Sequence, residues 1–251
     1  MRGRDTNWAL FYKFDGDVPR DFTAVRWFEG TVFSATGKVN TWGHEQVTTL
    51  PSRAEALREY ERLCRSAEAG GFRLSRSFIY DPTSFDAANL TSEISAAARH
   101  ALVHVRRANP GRRINAFALL TDSSAMTVGP VSGTVNLRAV PAEADAVWNC
   151  EEWSFFDGGA YFDIAYRIVL SQHRGYQSRV AFPEFRALMF ESCIRSLEQL
   201  IADGVFGSPA EREDMVVRFQ VSDDDEIDGA MERLNPPTVV ARYKAWLAAW
   251  T

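Results

Sequence analysis

The chain has no apolar run of the roughly 18 residues that a membrane-crossing helix needs. Its basic start, Met1-Arg2-Gly3-Arg4, leads into no apolar stretch of the kind a signal peptide carries. Cysteine is scarce. Cys64, Cys150 and Cys193 are odd in number and widely spaced, which argues against a disulfide framework and for reduced core thiols. No internal repeat and no low-complexity tract interrupts the chain. No complete catalytic constellation is legible, and no cofactor motif. Together these absences predict a cytoplasmic protein that works through its surfaces. The remaining composition, 46% hydrophobic and 24% charged, is ordinary for a globular protein, and 251 residues suffice for one large or two modest domains.

What is present is a charge asymmetry. From Met1 to Ser77 there are 12 basic against 10 acidic residues; from Phe78 to Thr251 there are 16 against 23. Such a contrast points to charged macromolecular partners rather than to a fold. The turn-forming Asp81-Pro82 disfavours helix and reads as a short linker. The expected division is a first domain over residues 1–78 and a second over 79–251.

The first domain reads as a small β-sheet crossed by one helix. Trp8–Phe14 is aromatic and suits a strand, and Asp15-Gly16-Asp17 a turn. Phe22–Phe28, Gly30–Ser34 and Val47–Leu50 suit further strands. Ser52, with Glu55 three residues on, is a capping signal. Ala54, Leu57, Tyr60, Leu63 and Cys64 then recur at helical spacing until Gly70-Gly71. The second domain mixes helices and strands. Helices are expected over Phe85–Arg107, Ala160–Ser171, Phe182–Ala202, Glu226–Leu234 and after Asn235-Pro236-Pro237. Strands are expected over Ile114–Thr121, Met126–Val131 and Met215–Val221, and Trp148–Phe155 is strand or irregular. The fold class is therefore α+β, with the larger, C-terminal domain itself a mixed α/β unit.

Two resemblances follow from these residues. Thr36-Gly37-Lys38, then Val39 to Gln46, the helix after Ser52 and the closing Gly70-Gly71-Phe72 resemble the WGR domain. The motif's Trp falls at Thr36 and its Arg at Lys38. Thr36 has no ring to stack on a base, so the family's DNA-end role is not carried over. Ile114–Asp122, Glu152-Trp153, Asp203–Gly207, Val221–Glu226 and Leu234–Pro237 resemble a bacterial α/β family found near polymorphic toxins. That resemblance implies an immunity protein and no particular chemistry.

The candidate sites are weighed against that background. Asp223, Asp224, Asp225, Glu226 and Asp228 form the densest charge in the chain. They suit a solvated turn entering a helix, where carboxylates favour the dipole. They also suit an acidic patch meeting the basic cleft of a nuclease, with complementary charge speeding association. Contiguous carboxylates lack the spacing of a calcium loop, so no metal is expected. Arg58, Arg62 and Arg65 offer a secondary basic face, interleaved with Glu55, Glu59 and Glu61 as i,i+4 partners. His100 and His104 could face one metal from a helix, but without the glutamate of the zinc-protease motif or a third ligand they read as structural. Glu151, Glu152, Asp157 and Asp163 read as solvated charges. Ser123-Ser124 lacks the nucleophile-elbow glycines.

The expectation is an immunity protein, not an enzyme. It would neutralise a secreted antibacterial toxin, a nuclease effector of a type VI secretion system, by stoichiometric contact. It would be a monomer or weak dimer, without membrane, cofactor or nucleic-acid partner. The alternative is a nucleic-acid-associated regulator acting through the WGR-like half.

Overall fold

The computed structural model describes residues 6–81, 83–137, 145–173, 180–222 and 229–249. The chain forms two compact units, Met1–Phe85 and Asp86–Thr251, and its class is α+β.

The first unit is a five-stranded antiparallel sheet with one helix. Its strands are β1 (Trp8–Asp15), β2 (Val18–Phe28), β3 (Thr31–Lys38), β4 (His44–Thr49) and, after α1 (Arg53–Ala69), β5 (Arg73–Phe78). Their spatial order is β4-β3-β2-β1-β5. Ser52 Oγ accepts from the Glu55 N–H at 3.2 Å and so starts α1. The helix lays Ala56, Tyr60, Cys64 and Ala67 on Ala9, Phe11, Val25, Trp27 and Val32 of the sheet. Trp8, Leu10 and Tyr12 point to the opposite face and are buried too, which is why β1 reads as an unbroken apolar run rather than an alternation. On that face the Arg26 guanidinium lies against the rings of Trp8, Phe33 and Tyr80, 4.9–5.6 Å from their centroids. Ala35–Lys38 forms the end of β3. Thr36-Gly37-Lys38 stays extended because it pairs with β2, Gly37 opposite Phe22.

The second unit is built on a three-stranded mixed sheet of order β7-β6-β8. Its elements are α2 (Ala87–Ala108), β6 (Ala116–Asp122), β7 (Gly129–Gly133), α3 (Asp145–Trp148), α4 (Asp163–His173), α5 (Phe182–Ala202), α6 (Pro209–Arg212), β8 (Val216–Ser222), α7 (Ala230–Leu234) and α8 (Pro237–Leu247). β6 is central, antiparallel to β7 and parallel to β8. One sheet face carries Phe117 and Phe219, whose rings meet Phe206 and Phe190. The other carries Ala116, Ala118 and Val216 against Val131, Trp148, Cys150, Trp153, Val239 and Tyr243. α2 and α5 pack closely, and Ser192 and Ser196 of α5 donate to the Ala87 and Thr91 carbonyls of α2 at 3.3 and 2.9 Å. Asn235 closes the outer edge of β8: its Oδ1 accepts from Val217 N at 2.9 Å and its Nδ2 donates to Val217 O at 2.7 Å. Trp148–Phe155 holds no strand; α3 and a 3-10 turn at Cys150–Glu152, capped by Asn149, occupy most of it.

No helix among the described residues is long and apolar enough to cross a membrane.

Candidate functional site

The parallel pairing of β6 with β8 sets Asp122 opposite Ser222, so both strands end together. Asp122 is the anchor of the β6–β7 turn. Its carboxylate accepts from Ser124 Oγ, from Met126 N at 3.2 Å, and from Thr127 N and Oγ1 at 3.0 and 2.7 Å. Burial works to raise its pKa, but the donors from Ser124, Thr127 and the backbone outweigh it and hold the carboxyl below its usual range. Ser124 is thereby a turn-forming hydroxyl. The acidic run begins where β8 stops; Asp223, Asp224, Asp225, Glu226 and Asp228 lie outside the described residues. Its flanks are described. β8 is clamped through Val217 by Asn235, and Asn235 N also donates to Met231 O of α7 at 3.0 Å.

The arginines of the expected basic face are matched on their own helix. Arg62 donates to Glu59 through Nε and Nη2, both at 2.7 Å, while Arg58 pairs with Glu55 at 3.8 Å and Arg65 with Glu61 at 3.7 Å. His100 and His104 do share a helix face, but what they share there is one tyrosine. Both rings meet Tyr161 edge-on, at 5.7 and 5.8 Å. Among the described residues no three His, Cys, Asp or Glu side chains gather as a metal site would require. Glu151, Glu152 and Asp157 are exposed as expected. Asp163 is not a solvated charge: it is buried, and holds Arg167 through Nε at 3.1 Å and Nη2 at 2.9 Å. The expectation failed because Arg167, one helical turn on, lets the carboxylate enter the core as half of an ion pair. All three thiols are buried; desolvation pushes Cys150 up to about 12 and raises Cys193 as well.

A surface network joins α5 to α7. Arg233 donates to Glu191 at 2.8 and 3.0 Å and to Glu198 at 2.8 and 2.9 Å, and Arg195 adds a 2.7 Å bond to Glu191. The Arg233 hydrogen bonds, then those of Arg195, hold Glu191 at about 2 against an ordinary 4.5. A carboxylate with a depressed folded-state pKa stabilises the fold above its ordinary pKa and loses that contribution as pH falls through the folded value. Glu191→Gln is therefore expected to flatten the loss of stability between about pH 4.5 and pH 2, measured by urea unfolding at a series of pH values.

One feature of the second unit goes beyond these expectations. Between Glu93 and Asp122 the sequence has no acidic residue but five arginines: Arg99, Arg106, Arg107, Arg112 and Arg113. The doublets on either side of Asn109-Pro110-Gly111 are the signal that could have marked it. Arg106 at the end of α2 and Arg112 and Arg113 after the turn line a cleft of about 440 Å³ together with Ile114, Asn115, Gly204–Gly207, Glu211 and Met215. A second cleft, of about 740 Å³, shares Gly204, Gly207 and Glu211 with it and includes Arg212 in its lining.

The comparisons bear on this unit. Residues 94–236 match a family model described as Domain of unknown function (DUF4303); that span holds both clefts and the acidic run. A crystal structure of a Bacteroides fragilis protein is 22% identical over 28% of this chain, with a TM-score of 0.25. The match spans 19% of that protein's length. No curated protein matches the chain.

Proposed function

The chain belongs to the DUF4303 family, a description that assigns no activity, and from its own residues we propose that it works by binding, as an immunity protein. It neutralises a secreted antibacterial toxin, a nuclease effector of a type VI secretion system, by stoichiometric contact. The observation that carries this reading is the density of the acidic run, five carboxylates within residues 223–228. In sequence it follows β8, whose last residue Ser222 pairs with Asp122 of β6, and precedes α7, which is tied to β8 through Asn235. A nuclease cleft is basic because it holds phosphate, so the two surfaces are complementary. The WGR-like N-terminal unit supplies further contact area. The regulator alternative would draw on Arg58, Arg62 and Arg65, whose charges are already matched by Glu55, Glu59 and Glu61.

The test is kinetic. A salt-graded pull-down first identifies the toxin, and association of the purified pair is then followed at low and high salt. Asp223→Asn, Asp224→Asn and Asp225→Asn together are expected to slow association by roughly tenfold at low salt and to flatten its salt dependence. Unchanged association by the triple variant would remove the acidic run from the interface.

A further inference from the structure

The arginine-lined cleft of the second unit lies at the amino ends of β6 and β8, the end of the sheet opposite Asp122 and Ser222. Its charges are unevenly matched. Arg112 makes no ion pair and no side-chain hydrogen bond among the described residues; its guanidinium rests over the Phe155 ring, 5.7 Å from the centroid. Arg106 donates to the Val205 carbonyl at 3.2 Å, and desolvation lowers its pKa against the opposing charge of Glu211. Arg113 reaches Asp214 only at 3.4 Å, with both side chains well exposed. Glu211 has its carboxylate turned to Ser208, accepting from N and Oγ at 2.8 Å each.

The adjoining cleft adds a second, independent observation. Arg212 is 7% exposed. Its Nη2 donates to the Leu234 carbonyl and its Nη1 is enclosed without an acceptor. Burial lowers its pKa to about 10. Buried charges in native proteins are normally paired. An enclosed guanidinium that forms no ion pair among the described residues projects positive potential into the space it borders, because low-dielectric walls focus the field.

We propose that the arginine-lined cleft binds a small phosphate monoester. Arg106, Arg112 and Arg113 take the phosphate dianion, since guanidinium groups match phosphate oxygens in pairs. A volume of about 440 Å³ is in the range of small-molecule sites. None of the residues that line the cleft belongs to the acidic run, so its failure and that of the immunity reading are distinguishable.

The experiment is isothermal titration of the full chain with the four nucleoside 5′-monophosphates, inorganic phosphate and a free nucleoside. Saturable binding by at least one monophosphate, with none by the nucleoside, is expected. Arg112→Ala should weaken that binding about tenfold or more, and Arg112→Lys should restore part of it. Among the described residues Arg112 makes no hydrogen bond through its side chain, so the variant tests binding rather than folding. Arg99→Ala, outside both clefts, should leave the affinity unchanged. No saturable binding by any monophosphate, or affinity indifferent to Arg112→Ala, would overturn the proposal.

Discussion

Replacing Asp163 with alanine is expected to lower the stability of the second unit by about 3–5 kcal/mol, the cost of breaking a buried ion pair from one side. The side chains of Asp163 and Arg167 are 1% and 4% exposed. Two hydrogen bonds in the fork geometry join them, and the Arg167 guanidinium also lies 4.9 Å from the centre of the Tyr166 ring. Removing the carboxylate strips a buried cation of its bidentate partner without returning it to water. Removing both charges is a different experiment. Asp163→Leu with Arg167→Met replaces the pair by apolar volume, and such replacements are often neutral or stabilising. The double variant should therefore be more stable than Asp163→Ala. Urea unfolding of the wild type and both variants measures it. Equal stability of wild type and Asp163→Ala would mean that the pair contributes nothing.

The second large effect is expected at Gly43, in the turn between β3 and β4. Its φ is +70°, and a Cβ there would stand 2.5 Å from Phe22 Cζ and 2.7 Å from the Thr36 carbonyl oxygen. One of these contacts is backbone and the other is a ring that is itself fully buried. Neither can give way cheaply. Gly43→Ala combines the left-handed backbone cost of about 1–2 kcal/mol with an overpacking cost of about 1–3 kcal/mol. Gly16 provides the comparison. It too has a positive φ, +59°, but nothing lies within 4 Å of its added Cβ, so Gly16→Ala should show the backbone cost alone. Amide hydrogen exchange across β2 and β3 reads the difference. Equal protection in the two variants would mean that the close approach to Phe22 is not a constraint.

Much of the fold was legible because its signals were local. α1 begins where Ser52 and Glu55 placed it, and α5 spans the same residues as the apolar spacing from Phe182 predicted. β5 was not legible. Arg73-Leu74-Ser75-Arg76-Ser77-Phe78 has too little apolar content to announce a strand, and it becomes one by pairing with β1, with Arg73 lying over the Phe14 ring at 4.6 Å. The site was read unevenly for the same reason. The four-residue spacing of His100 and His104 correctly put them on one face, but only the packing of Tyr161 across α2 revealed their task. The pairing of Arg167 hid the burial of Asp163, since a charged residue at helical spacing looks solvated until its partner is found. The arginine cleft needs Arg106 from one helix to meet the Val205 carbonyl about a hundred residues later, a contact that no local window contains. The acidic run, by contrast, is conspicuous in sequence.

The central claim is neutralisation by stoichiometric contact, and a titration of the toxin's own nuclease activity against the purified chain tests it most directly. The expected result is a linear fall to zero at one chain per toxin, with the Asp223, Asp224 and Asp225 triple variant needing excess protein at high salt. Full nuclease activity in the presence of saturating chain would contradict the account.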